Sequence, residues 1–395
     1  MIKLPSGWRI ESLGNCCQIV SGSTPSRSKP EYWDGNISWV TPKDLSNLKS
    51  PILEDTPEKI TEAGYKSCST TLMPTGTILF SSRAPIGYVA IAGKPMCSNQ
   101  GFKNLVPSSS VHSAYLYWCM RNFARNIAAL GTGTTFKEVS KGIIEKFQIP
   151  LPPLEEQRRI AAILDKADAV RRKRQSAIAL TEELLRSAFL EMFGDPDTNP
   201  KGWEIKTIEQ ICNVTKLAGF EYTKHIKYQN SGEIIALRAL NVKNGRLKLN
   251  LIKFIDRETS NFLKRSKLFK GDVVMTYIGV NIGDVAIIDK DNRYHLAPNV
   301  AKISPKSNVN SVYLMRCLEF SKNQLEKYTT NTAKQALNMG KIREITIPLP
   351  SLALQDKFAS CIEQIQKSAV KHQNSLIESQ IFFNALIQKA FRGQL

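Results

Sequence analysis

The 395-residue chain reads as an α+β protein of two tandem β-rich modules, each followed by one long helix. Three observations predict this. A strand that runs into prolines and then into a helix occurs twice, as "IPLPPLEEQRRIAAIL" at 149–164 and "IPLPSLALQDKFASCI" at 347–362. The openings "SGWRIESLGNCC" and "KGWEIKTIEQIC" align at an offset of 195, pairing Gly7, Trp8 and Cys17 with Gly202, Trp203 and Cys212. After each proline exit, the apolar pattern changes from strand spacing to steps of three and four. A chain of this length is also expected to hold more than one domain.

The modules are placed at 1–150 and 198–347, and the helical segments at 151–197 and 348–395. Inside each module, apolar runs such as "NISWV", "TILFSS" and "YVAIAG" alternate with Gly, Pro, Ser and Asn turns. Their counterparts are "EIIALRAL", "DVVMTYI" and "DVAIID". "GTILFSSRAPIGYVAI" (76–91) parallels "GDVVMTYIGVNIGDVAI" (271–287), and the offset grows by one across the loop. An amphipathic helix near 112–129 parallels another near 310–328. A final strand, "KFQIPLP" or "EITIPLP", meets the prolines, which cannot continue a strand interior.

From Leu154 through Phe193 the spacing is helical, a rod of roughly 58 Å at 1.5 Å per residue. Ile160, Ile163, Ala167, Val170, Arg174, Ala177, Thr181, Leu184 and Ala188 form a heptad-like seam, and "GDPDTNP" then stops the helix. The second helix, about 352–392, offers Phe358, Cys361, Ile365, Phe383, Leu386 and Ala390 at similar spacing. So long a helix must bury its apolar stripe. The available partner is its twin, folded back as an antiparallel coiled coil.

The net charge of +19 is unevenly placed. Residues 1–150 carry 16 Lys/Arg against 10 Asp/Glu, and 198–347 carry 25 against 13, whereas 151–197 has 8 against 9. Two basic modules joined by a near-neutral helix suggest two surfaces that meet a polyanion, nucleic acid above all. The eight cysteines include no CxxC pair, so buried reduced thiols are expected rather than disulfides or zinc. Cys17, Cys212, Cys119 and Cys317 recur at matched apolar positions and read as core. No apolar run approaches the roughly 20 residues of a membrane span. The N-terminus lacks an apolar signal core, so a cytoplasmic chain is expected.

Specificity in DNA binding comes from side chains at base edges, and affinity from cations on phosphates. Lys43, Arg238, Asn241 and Lys243 lie just after strands at matched places in the two modules and are candidate base readers. Arg83, in the "SSRAPIG" loop, either reaches a groove or is a solvated surface arginine. Tyr277 occupies the comparable loop of the second module, either as a reader or as core. Lys264, Arg265 and Lys267 suit phosphate contacts or a plain charged loop. Thr134 and Thr332 precede the last strand of each module, where backbone N–H groups could cradle a phosphate or simply form a turn. "RRKR" (171–174) reads as a solvated helix face.

With these parts in order, the chain resembles the specificity (S) subunit of type I restriction–modification systems. The resemblance is carried by Pro150-Leu151-Pro152-Pro153-Leu154-Glu155-Glu156-Gln157 and its second copy, Pro348-Leu349-Pro350-Ser351-Leu352-Ala353-Leu354-Gln355. The Gly-Trp openings, the strand–loop–strand type and the closing "LIQKAFRGQL" add to it. It implies two target recognition domains that read a bipartite, asymmetric double-stranded DNA site, with no chemistry in the chain itself. It implies helices that dock two methyltransferase (modification) subunits, a trimer able to recruit restriction subunits. Leu154, Gln157, Leu352 and Gln355 at the helix starts would serve those contacts, with Ile178 and Leu185 flanking the seam as exposed apolar surface. S-adenosylmethionine, ATP and Mg2+ would then sit on the partners, and this chain would hold no cofactor. The residues agree, since no GK[ST] phosphate loop or G-x-G-x-x-G after a strand occurs. The alternatives are a stand-alone DNA-binding regulator, or a methyltransferase or nuclease acting alone.

Overall fold

The structure is a computed structural model that describes residues 5–83, 85–133, 137–279, 281–321, 324 and 337–395. It divides into two compact units: Met1–Ala177 with His372–Leu395, and Ile178–Lys371. Both divisions fall inside a long helix, so each unit contains one module, the start of one long helix and the end of the other.

In unit 1 a five-stranded sheet runs in the order Cys17–Ser21, Lys103–Pro107, Ile78–Phe80, Val89–Ala92, Ile52–Leu53. In unit 2 the corresponding four strands are Cys212–Lys216, Val300–Pro305, Val273–Thr276 and Val285–Ile287. The register repeats as well, with Cys17 opposite Pro107 and Cys212 opposite Pro305. A second sheet in each unit carries the same parallel pair, Trp39↔Cys97 in one and Ala236↔His295 in the other. A two-stranded ribbon closes each module: Arg9–Ser12 pairs with Gln148–Leu151, and Ile205–Thr207 with Thr346–Pro348.

The amphipathic helices are Ser113–Ala129 and Ser311–Phe320. The second ends earlier than its spacing predicts, and most of 321–336 lies outside the described residues. Both helices bury an aromatic-rich face, Tyr115, Trp118 and Cys119 in one and Tyr313 and Cys317 in the other. The matched cysteines are core residues, as expected. Burial pushes the Cys212 and Cys317 thiols up to about 12, so the nucleophilic thiolate is disfavoured in both.

The long helices span Leu154–Phe193 and Leu352–Ala390. Within unit 1, Ile160, Ala161 and Leu164 share a core with Phe383, Ala390 and Phe391. Arg159 donates to the Leu395 carbonyl at 2.8 Å, and Arg174 to that of Ser375 at 2.7 Å. Residue numbers fall on one segment as they rise on the other, so the two run in opposite senses. In unit 2, Leu185, Phe189 and Phe193 share a core with Phe358 and Ile362.

The seam read from the sequence holds at Ile160, Phe358, Phe383 and Ala390, which are buried, and slips by about one residue elsewhere. Val170 and Leu184, expected on it, are 46% and 54% exposed, while Leu164, Asp168 and Leu185 are buried. On the second helix Ile362 is buried and Cys361 exposed. The physical reason is that the helix ends pack into module cores as well as against each other, which favours steps of four over a strict heptad. Leu185, expected as exposed docking surface, is therefore a core residue of unit 2. Ile178 is half-buried, and Leu352 is exposed at 39%.

Gln157 and Gln355 also depart from expectation. Neither is available to a partner, at 1% and 0% exposure. The Gln157 Oε1 accepts from His112 N (2.8 Å), and its Nε2 donates to the carbonyls of Pro152 (2.9 Å) and Ser110 (3.0 Å). Gln355 repeats this with Asn310 N (2.8 Å), Pro350 O (2.8 Å) and Asn308 O (3.4 Å). Tyrosines complete the joint: Tyr115 Oη donates to Pro150 O at 2.7 Å, and Tyr313 Oη to Pro348 O at 2.6 Å. Buried carbonyls need donors, and tyrosine and glutamine side chains supply them at all four of these prolines. The repeated proline exit is thus a clamped joint between module and helix.

Candidate nucleic-acid interface

The loop after the central strand of each module is built on one backbone frame. Gly87 N donates to Ser81 O and Gly283 N to Thr276 O, both at 2.9 Å. Both glycines have positive φ, +101° and +84°, where a side chain is strained. One residue into the loop, Val139 N donates to Ser82 O (2.9 Å) and Leu337 N to Tyr277 O (2.8 Å). That equivalence sets Arg83 of unit 1 against Ile278 of unit 2. Arg83 is half-buried and bridges to Glu138 in a short ladder, beside Lys103, whose Nζ lies 3.3 Å from the Glu138 carboxylate. Tyr277 is a core residue at 8% exposure, and Ile278 is the exposed one. Thr134 and Thr332 lie outside the described residues.

A second matched frame carries the residues after the strand Trp33–Val40 and the strand Ile234–Leu237. Thr41 N donates to Asp44 Oδ2 at 2.7 Å, and Arg238 N to Asn241 Oδ1 at 3.3 Å. Asp44 and Asn241 are therefore turn organisers. Asn241, expected as a base reader, is fully buried, and its amide donates to the carbonyls of Lys248 (2.8 Å) and Asn250 (3.3 Å). Its side chain is committed to the loop, so it supports neighbours rather than reaching a base. Lys43 remains exposed on the short helix Pro42–Ser46. Arg238 is half-buried with its guanidinium 5.9 Å from the Tyr228 ring and bonded to Leu251 O. Lys243 stands in a hairpin, Val242–Lys243 with Arg246–Leu247.

Unit 2 has a basic cleft of about 740 Å³ lined by Lys216, Arg265, Arg343, Tyr277 and Ile278, with no carboxylate among the described lining residues. Arg265 also pairs with Glu221 at 3.5 Å. Lys264 is exposed, and Lys267 donates to Asn261 Oδ1 at 3.2 Å. Sequence reading found Arg265 and missed Lys216 and Arg343. Their offset partners in the first module are Ser21 and Glu145, so the repeat carries no basic signal at these two positions.

Unit 1 has a smaller cavity of about 220 Å³, lined among others by Lys49, Arg121, Asp168, Arg171 and Arg172. Asp168, 1% exposed, accepts from Arg171 at 2.7 Å and Arg172 at 2.8 Å, with Arg121 at 4.0 Å. "RRKR" is not the solvated face its charge suggests: Arg171 and Arg172 clasp this buried carboxylate, and Arg174 holds the second long helix. One carboxylate against three guanidinium groups leaves the cavity wall cationic. Among the described residues no cluster of three metal-ligating side chains occurs, and no helix is long and apolar enough to cross a membrane.

A doubled scaffold with divergent basic loops is the architecture these residues define. The type I restriction modification DNA specificity domain matches residues 5–180 and again 200–379, and the chain belongs to that family. It is 27% identical over 423 residues to the type I restriction enzyme MjaIX specificity subunit of Methanocaldococcus jannaschii, covering 100% of this chain and 94% of that protein. The EcoBI specificity subunit of Escherichia coli is 24% identical, over 73% of this chain and 67% of its own length. The fold is similar to the crystal structure of the type I system S subunit from M. genitalium, with TM-score 0.61 and 16% identity over 98% of both chains.

Proposed function

We propose that this chain is the sequence-specific DNA-recognition subunit of a type I restriction–modification complex. Each module reads one half of a bipartite, asymmetric double-stranded site. Two methyltransferase subunits dock on the long helices, which pair as an antiparallel coiled coil along their length, and restriction subunits join through that complex. The chain itself is non-catalytic; S-adenosylmethionine, ATP and Mg2+ belong to its partners, and it works in the cytoplasm. The domains are the target recognition domains 1–150 and 198–347 and the spacer helices 151–197 and 348–395.

The observation that carries this reading is the contrast between joint and loop. The joints repeat atom for atom at an offset of 198, while the matched loops present Arg83 in one unit and Ile278 in the other. One scaffold offering two chemistries suits two different half-sites. Lys43, Arg83, Arg238 and Lys243 are proposed at or near base edges, and Lys264, Arg265 and Lys267 with Lys216 and Arg343 on phosphates. Thr134 and Thr332 are proposed on phosphates too, and Leu154, Ile178 and Leu352 on the partners.

Genome-wide methylation mapping in cells with the partner subunits, with and without this chain, tests the reading. One gapped, asymmetric methylated motif should vanish when the chain is removed. An unchanged methylome, or methylation or cleavage of DNA by the purified chain alone, contradicts it.

A further inference from the structure

The stretch 238–253 in unit 2 holds five Lys/Arg (Arg238, Lys243, Arg246, Lys248, Lys253) and no Asp/Glu. It also exposes three leucines: Leu240 at 43%, Leu249 at 45% and Leu251 at 78%. Leu251 has φ of +54°, and every other non-glycine residue with positive φ among the described residues is Asn or Asp. Those short polar side chains tolerate the left-handed region; a leucine there is strained. The surroundings enforce the conformation. Arg238 donates its guanidinium N–H to the Leu251 carbonyl, and the buried Asn241 amide holds the carbonyls of Lys248 and Asn250. Lys248 N donates back to Asn241 O at 2.8 Å.

Folding gains nothing from a leucine at this place. Its side chain is mostly in water, and Gly or Asn would relax the backbone. An enforced strain on an exposed side chain is the kind of outlier that marks a working residue. The flanking charge selects the occupant: a wholly cationic loop fits DNA, and an apolar tip inside such a loop fits base surface rather than phosphate. We propose that Leu251, with Leu249 beside it, makes an apolar contact with the bases in the half-site of unit 2 and sets the preference at one position there. This rests on the DNA-reading role proposed above.

The test uses the full chain in its complex, with the methylation motif mapped for wild type, Leu251→Gly, Leu251→Ala and Lys248→Ala. Wild type must first direct a motif; if it directs none, the DNA-reading role itself fails. Given a motif, Leu251→Gly should relax one base position in one half by roughly tenfold, leaving the other half intact. Its melting temperature should be unchanged or higher than that of Leu251→Ala, because glycine releases the strain. Binding of Leu251→Gly to a duplex carrying the motif should keep its salt slope, whereas Lys248→Ala should lower that slope by about 1 and keep the base preference. A Leu251→Gly complex with the wild-type motif, or one whose motif relaxes only together with a fall in melting temperature, overturns the proposal.

Discussion

Unit 1 and unit 2 are the same joint carrying different surfaces. Tyr115 meets Phe391 at 5.8 Å in one, and Tyr313 meets Phe193 at 4.7 Å in the other, each beside a glutamine clamp. One turn away the likeness ends. Arg121, Asp168, Arg171 and Arg172 of unit 1 correspond, at the same offset, to Glu319, Gln366, Ala369 and Val370 of unit 2. Trp118, which donates to Asp165 at 2.9 Å, corresponds to Arg316, which pairs with Glu319. The difference teaches where identity is required. Where a helix must leave a module at a set angle, buried polar groups leave one solution. Away from that joint the side chains differ even where they are buried, as Asp168, Trp118 and Arg316 show.

The largest effect should separate the units. Asp168→Ala leaves three guanidinium groups around an empty place and should lower the stability of unit 1 by about 3 kcal/mol. Gln366→Ala, its exposed counterpart, should stay within about 0.5 kcal/mol. Denaturant melts of the two variants check this, and equal losses would break the comparison.

The next effect should join the units. Gln157→Leu and Gln355→Leu each orphan buried backbone groups and should cost about 2 kcal/mol apiece. If one substitution is neutral, the two joints are not equivalent. Tyr115→Phe and Tyr313→Phe remove a single buried hydrogen bond each, about 1 kcal/mol by the same measurement.

The smallest effect is a pH dependence confined to unit 2. His295 is fully buried, and its ring nitrogens lie 2.9 Å from Leu296 O and 3.3 Å from Leu263 O. Burial holds its pKa below the ordinary 6.5. A lowered histidine pKa means the unfolded chain binds the proton first. This contribution is therefore intact above about pH 6.5 and is lost as pH falls below it, at less than about 1.4 kcal/mol per pH unit. The matched residue in unit 1 is Cys97, whose thiol burial pushes up to about 11, so it does not titrate in that range. A melt series from pH 7.5 to 5.5 should show the difference, and His295→Leu should erase it.

The doubling, the strand runs and the long helices were legible because spacing and matched residues survive as patterns in one dimension. The buried face of the helices was not. Steps of three and four fit two adjacent stripes, and only the module cores decide that Leu185 faces in and Leu184 out. Gln157 and Gln355 read as partner contacts only through the resemblance of the proline exits, and nothing local announces two proline carbonyls in need of donors. Asn241 misled because a polar side chain after a strand suits a base edge and a turn equally well. Leu251 carried no signal at all, since its backbone angle is set by Arg238 and Asn241 from across the loop.

The most direct test of two independent readers is an exchange. Residues 198–347 would be replaced by the corresponding module of another family member, and the methylated motif of the resulting complex mapped. The account predicts that one half of the motif changes to the donor's while the other half stays as it was. A motif that changes in both halves, or in neither, contradicts it.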